Sequence, residues 1–187
     1  MPENKKVILG LVGEIASGKD TMAAYLKKKY NSETISFSTP IRKILDILRL
    51  PQTRENMVKI GSEMRKAFNK TVWGKVIAEE CEINPSDLIT LPNVRIEYDI
   101  VYLKKMSNFF LINIEAAPEI RYQRLIRRNQ NPDDATKTWK QFLEDGKLPT
   151  EITIRKVAKM AQYELDNNGG FEELYRQVDE LMGKINK

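Results

Sequence analysis

Hydrophobic positions follow two patterns that alternate along the chain. Residues 6–12, 88–91 and 109–114 are short, nearly unbroken apolar runs. Such runs read as strands covered on both faces, because a strand facing water would alternate apolar with polar. The shorter segments 33–37 and 163–165 read as a second and a fifth strand. Between the strands, apolar residues recur every three to four positions, as on one face of a helix. This period predicts helices over 19–30, with Met22, Ala23, Tyr25 and Leu26 inward, and over 53–67, with Met57, Ile60 and Met64 on one face. It also predicts helices over 72–81, 97–105, 118–128, 152–161 and 171–185. A helix over 41–48 is expected to start at Pro40 with Thr39 as its cap, because proline's fixed φ and missing N–H suit a first turn. Residues 129–149 break both patterns. They hold Asn-Gln-Asn-Pro-Asp-Asp and Glu-Asp-Gly-Lys around a short helix near 138–143, and predict a mobile flap over a site. Strands alternating with helices predict an α/β fold with a parallel sheet.

Composition narrows the picture. A chain of 187 residues suits one domain, residues 1–187, with a sizeable core. Apolar residues at 41% and charged residues at 30% exclude a disordered chain. No apolar run approaches a bilayer span, so no membrane partner is expected. The run at 7–12 leads into a glycine loop, not a small-residue cleavage site, which argues against a leader peptide. The single Cys81 sits in a helical pattern, allows no internal disulfide, and fits a structural role in a reducing, cytoplasmic setting. The net charge of +5 suits nucleic acid or small anions. The basic residues are scattered along helices, so nucleic acid is not expected as the primary partner. The chain has no histidine, which removes Ser-His and Cys-His nucleophile pairs and His-ligated zinc. Lysine, arginine, carboxylates, backbone amides and metal remain. Phosphoryl transfer needs little else, being mainly positioning and charge stabilisation.

One motif carries that chemistry. Gly13-Glu14-Ile15-Ala16-Ser17-Gly18-Lys19 has the spacing of a phosphate-binding loop, and it joins a buried strand directly to a helix. Glycines allow the backbone to wrap so that successive N–H groups face one anion, and the helix turns its positive end to the same point. Lys19 then reaches the β- and γ-phosphates of ATP. Asp20 occupies the position where serine or threonine normally ligates magnesium, and Thr21 follows. Asp20 either holds Mg²⁺ beside Thr21 or caps the helix; both readings stay open.

With this loop the chain resembles the P-loop nucleoside-monophosphate kinase superfamily. Its Lys-x-Thr spacing resembles adenylate-kinase-type loops, and Asp20 resembles loops of deoxynucleoside-monophosphate kinases; dephospho-CoA kinases are the other branch resembled. The resemblance covers nearly the whole length, although only the loop is highly specific. It implies a three-layer P-loop fold with a five-stranded parallel sheet, a helical acceptor-binding region at 38–85 and a lid at 129–149. It also implies ATP and Mg²⁺ as cofactors and a small-molecule phosphate acceptor. The segment Phe37-Ser38-Thr39-Pro40-Ile41-Arg42, then Thr53-Arg54-Glu55, Gly61, Arg65 and Trp73, is similar to the acceptor region of deoxynucleotide kinases. Arg42 and Arg65 are thus candidate forks for an acceptor phosphate, or solvated helix charges.

Leu88–Leu91 followed by Pro92, Asn93, Val94 and Arg95 resembles the third-strand segment, in which Arg95 contacts the acceptor. Pro92 and Asn93 stand where that family has Asp-Gly, so Asp20 or Glu97 would have to supply the carboxylate. Residues 121–128 resemble the helix that enters the lid. There Arg124 and Arg128 would neutralise the transferred group, or form the basic outer face of an amphipathic helix. Asp145 matches an acidic lid residue. Asp166-Asn167-Asn168-Gly169-Gly170 resembles a late turn near adenine, which assigns Asn168 to the nucleotide, or is simply a turn. Tyr98, Tyr102, Trp139 and Tyr163 read as packing. Lys19, Arg95 and Arg128 are the expected catalytic groups. Three functions follow: nucleoside- or deoxynucleoside-monophosphate kinase, dephospho-CoA kinase, and a nucleotide-binding protein without transfer activity. Monomer and homodimer are both compatible with the sequence.

Overall fold

The five apolar segments pair side by side as β1 (Val7–Val12), β2 (Glu33–Thr34), β3 (Leu88–Leu91), β4 (Phe109–Glu115) and β5 (Tyr163–Asp166). In the computed structural model, which describes residues 6–128 and 134–185, all pairings are parallel and the spatial order is β2-β3-β1-β4-β5. Every residue of β1 is buried, as its unbroken apolar run requires.

The two faces of β1 separate by the two-residue period of a strand. Ile8 and Val12 point into one core, shared with Ile77, Ala78 and Cys81 of α4 (Val72–Ile83) and with Ile154 and Val157 of α7 (Pro149–Ala158). Val7, Leu9 and Leu11 point into the other, shared with Met22 and Leu26 of α1 (Lys19–Tyr30) and with Leu174, Val178 and Leu181 of α8 (Phe171–Ile185). Helix layers therefore cover both faces, which completes a three-layer α/β fold. Cys81 is buried in the first core and its thiol is pushed up to about 12 by burial, which fits a structural role. Among the described residues no helix is long and apolar enough to cross a membrane.

Several elements differ from the expectation. The second strand covers only residues 33–34, although the Ile35 N–H still donates to the Thr90 carbonyl at 3.1 Å. The next helix, α2 (Ser38–Ile47), starts earlier than expected, with Phe37 at the cap position. Thr39 is therefore inside the first turn, and Pro40 is tolerated there because first-turn N–H groups have no intrahelical acceptor. The expected helix over 97–105 is two 3₁₀ turns, Glu97–Ile100 and Leu103–Lys105. Ile100 and Leu103 are both fully buried, and a three-residue repeat stacks such a pair on one side. α3 (Arg54–Ala67) is capped by Thr53, whose hydroxyl accepts from the Asn56 N–H at 3.2 Å. α5 (Pro118–Arg128) follows β4 as expected. In the region read as a lid, residues 129–133 lie outside the described residues. The rest forms a 3₁₀ turn, Asp134–Thr136, and α6 (Trp139–Asp145), which opens with a Thr138/Gln141 capping box.

The connection from β1 runs to β2 on one side and that from its neighbour β3 runs to β4 on the other, so the chain leaves these adjacent strands in opposite directions. The crevice beyond the carboxyl end of such a strand is where open parallel sheets hold ligands. The glycine loop begins there.

Candidate active site

Residues 13–18 carry β1 into α1 through conformations that a side chain resists. Gly13 has φ +153° and Gly18 has φ +110°. A Cβ on Gly13 would lie 2.5 Å from the Ile114 carbonyl oxygen, and one on Gly18 would lie 2.1 Å from Nδ2 of Asn167. Ala16 adopts φ +60° between them, a left-handed conformation that costs a non-glycine residue about 1 kcal/mol. Strained backbone of this kind persists when the surrounding structure holds it.

Asn167 provides such support. Its side-chain amide donates to the Ser17 carbonyl at 2.7 Å, and its own N–H donates to the Glu115 carbonyl at 2.7 Å. The residue is buried and joins the end of β5 to the loop. The neighbouring Asn168, assigned to the nucleotide from sequence, turns away from the loop. Its Oδ1 accepts from the Ala117 N–H at 2.7 Å, and its amide donates to Asp166. The register at the end of β5 thus brings Asn167, and not Asn168, into hydrogen-bond contact with the loop.

The Lys19 ammonium folds back over the loop, donating to the carbonyls of Gly13 at 2.7 Å and Glu14 at 2.9 Å. Its pKa is lowered to about 8, mainly by burial; Asp20 and Glu151 act to raise it, and the cationic charges of Arg95 and Arg128 act to lower it. Arg95, from the segment after β3, and Arg128, from the end of α5, are thus electrostatic neighbours of Lys19. The Ser17 hydroxyl is buried without a hydrogen-bond partner. A buried orphan hydroxyl, strained loop backbone and a part-buried ammonium at one loop are features suited to an anion with several oxygens.

Glu14, inside the loop, is held by two arginines from different elements. Arg121 of α5 lies 3.0 Å from its Oε2, and Nη1 of Arg155 of α7 donates to its Oε1 at 2.8 Å. Arg155 also donates to the Gly146 carbonyl at 2.8 Å, and the Arg121 guanidinium lies over the Phe142 ring of α6, 5.4 Å from its centroid. Trp139 packs in the same cluster with Phe142 and Tyr122. One loop carboxylate thereby couples α5, α6 and α7 to the phosphate loop. Nothing in the local sequence marks these partners, since the residues lie more than 100 positions apart.

The remaining expected residues divide. Arg124 donates to the Gly169 carbonyl at 3.1 Å, beside the late turn, and burial lowers its pKa. Arg128 lies 3.8 Å from the buried carboxylate of Asp134. Arg65 is committed to Asp99 at 2.7 Å, within a partly buried pair in which burial raises the Asp99 carboxyl and Arg65 pulls it back down. Arg42 is exposed and donates to Gln52 at 2.8 Å. Asp145 pairs with Lys137 at 2.6 Å. Asp20 and Thr21 lie in the first turn of α1, with Asp20 exposed and making no side-chain cap. Among the described residues no group of three potential metal-binding side chains occurs, so a cation here would draw most of its oxygens from a bound phosphate.

No protein-family profile matches the chain. It is similar to a UPF0200 protein of Methanococcus maripaludis, 24% identical over 184 residues that cover 95% of this chain and 97% of the relative. Among solved structures, a shikimate kinase from Bacteroides thetaiotaomicron superposes with a TM-score of 0.61 at 14% identity, covering 95% of this chain and 98% of that one. A shikimate kinase from Acinetobacter baumannii, in complex with shikimate, superposes with a TM-score of 0.58 at 15% identity, covering 97% and 95%. The fold is therefore that of the P-loop kinases.

Proposed function

We propose that the protein transfers the γ-phosphoryl group of ATP to a small acceptor. The observation that carries this reading is the loop at the end of β1. It holds a wrapped backbone, an orphan Ser17 hydroxyl and the part-buried Lys19 ammonium, with Arg95 and Arg128 close enough to shift that lysine.

In this reading Lys19 leaves its two loop carbonyls and pairs with the β- and γ-phosphates. An anion raises the pKa of the lysine back toward its ordinary value, so binding and protonation reinforce each other. Arg95 and Arg128, whose charges act on Lys19, stabilise the charge that builds on the transferred group. Asn167 keeps the loop in its strained shape before substrate arrives, which spares reorganisation during the reaction. Thr21 and Asp20 offer hydroxyl and carboxylate oxygens that suit Mg²⁺, an ion that neutralises phosphate charge when bound. The single buried thiol fits a reducing, cytoplasmic setting.

Two acceptor classes compete. A nucleoside or deoxynucleoside monophosphate needs a fork of arginines for its phosphate, and Arg95 is the one acceptor candidate whose charge acts on Lys19. Arg65 is engaged by Asp99 and Arg42 by Gln52, an arrangement that favours the second class, a hydroxyl acceptor such as dephospho-CoA. The third reading, nucleotide binding without transfer, rests on Pro92 in place of a strand-end aspartate. Incubation with radiolabelled ATP, Mg²⁺ and a panel of both acceptor classes separates the three. Transfer that depends on Lys19 supports the proposal. ATP binding with no phosphorylated product, in wild type and Pro92→Asp alike, would reject it.

A further inference from the structure

The reaction centre read above lacks the carboxylate that the strand end would have supplied, because Pro92 stands in its place. Two substitutes are expected from sequence. Asp20 and Glu97 are both exposed. A different carboxylate is near. Glu151 lies in the first turn of α7, which begins at Pro149, earlier than its apolar period suggested. Its Oε2 is buried and has no hydrogen-bond partner. The bland account is that an acid in a first turn complements the helix dipole. That role is ordinarily filled by an exposed or capping carboxylate, whereas no side chain caps this helix and the buried oxygen bonds to nothing.

The direction in which Glu151 faces follows from its neighbour one helical turn on. Residues four apart share a helix face, and Arg155 on that face is bonded to Glu14 of the phosphate loop at 2.8 Å. α7 also packs Ile154 and Val157 into the core beneath β1. The helix is thus fixed by its buried side and by an ion pair to the loop, with Glu151 directed toward the same loop. Its charge is felt by Lys19. An unsolvated carboxylate oxygen beside a cationic phosphate site is costly unless a ligand proton meets it.

Resting on the kinase reading above, we propose that Glu151 is a catalytic residue that accepts the proton of a hydroxyl acceptor, so that the substrate is an alcohol rather than a phosphate. The acceptor O–H bond breaks and its proton passes to Glu151 Oε2. The acceptor oxygen forms a bond to the γ-phosphorus, and the bond from that phosphorus to the bridging oxygen breaks. ADP leaves with the electron pair, and Glu151 returns its proton to water. A phosphate acceptor is already ionised at neutral pH and needs no such base. Arg155 and Glu14 act as positioning residues for this group.

The test compares wild type, Glu151→Gln, Glu151→Asp and Lys19→Ala with Mg·ATP and four acceptors. These are water (as slow hydrolysis), dephospho-CoA, shikimate and deoxycytidine monophosphate. Glu151→Gln is expected to lower kcat for water and for whichever alcohol is used by about 100-fold or more. KM for ATP should stay unchanged and the unfolding midpoint should not fall, with partial recovery of kcat in Glu151→Asp. Full kcat in Glu151→Gln, while Lys19→Ala is inactive, overturns the role of Glu151 and leaves the kinase reading standing. Efficient transfer to deoxycytidine monophosphate alone, insensitive to Glu151→Gln, overturns it equally. ATP turnover no greater in wild type than in Lys19→Ala overturns the kinase reading and this role together.

Discussion

Lys19 combines two demands that oppose each other. Its ammonium must be desolvated to grip phosphate, and desolvation lowers its pKa to about 8 in the folded chain against 10.5 for an ordinary lysine. Between those values the unfolded chain binds more protons than the folded one, so stability rises with pH across that window and is lowest below it. The difference corresponds to about 3 kcal/mol. Denaturant titrations of wild type and Lys19→Met from pH 7 to 10.5 should therefore diverge, with the rise attributable to Lys19 absent in the variant. Parallel curves would show that the lysine is solvated. Gly18 poses a second residue-scale test. Alanine there meets both a positive φ and the Asn167 amide, so Gly18→Ala should cost about 1–3 kcal/mol and weaken nucleotide binding. Unaltered thermal unfolding and affinity would mean that the loop is not held as described. At this scale the sequence was most informative where chemistry and spacing coincide, as in Gly13, Gly18 and Lys19. It was least informative for Asn167 and Glu14, whose contacts are with residues far along the chain.

Among the elements, two linkages bear on function. Glu14 holds Arg121 and Arg155, and Arg121 is only 7% exposed. Removing that carboxylate charge leaves a buried guanidinium poorly compensated. Glu14→Gln is expected to lower stability by about 2–3 kcal/mol in urea unfolding and to loosen α7 from the loop. A loss below about 0.5 kcal/mol would rank the contact with ordinary surface ion pairs. The second linkage, Arg65 to Asp99, joins α3 to the first 3₁₀ turn. Arg65→Met should destabilise by about 3 kcal/mol, because it strands a buried carboxylate, and should leave any residual transfer KM for the acceptor unchanged if the arginine is structural. A raised acceptor KM with intact stability would return Arg65 to the acceptor site. The strongly periodic helices α5 and α8 were legible to within a few residues, as was α1 directly after the glycine loop. The segment 97–105 was not, because its apolar spacing fits a helix while burial of Ile100 and Leu103 selects tighter turns. α7 was placed too late because Pro149, Thr150 and Glu151 look like the end of a loop until the helix is seen.

For the whole molecule, the parallel sheet and its helix layers follow from the alternation of apolar runs with amphipathic segments, and the glycine loop predicts its own place after the first strand. What the linear pattern does not contain is the order β2-β3-β1-β4-β5, which puts the loop at the point where the connections diverge. That order brings Asn167, just after β5, against the loop and the charges of Arg128 of α5 and Glu151 of α7 within reach of Lys19, and so turns a loop into a site. The central claim is that this concavity is built for a polyphosphate, and calorimetric titration of the full chain with Mg·ADP and Mg·ATP tests it most directly. Wild type should bind one nucleotide per chain, and Lys19→Ala should weaken that binding by about tenfold or more, as expected for loss of a charge-assisted bond to phosphate. Equal affinity in the two proteins, or no binding by wild type, would contradict the account.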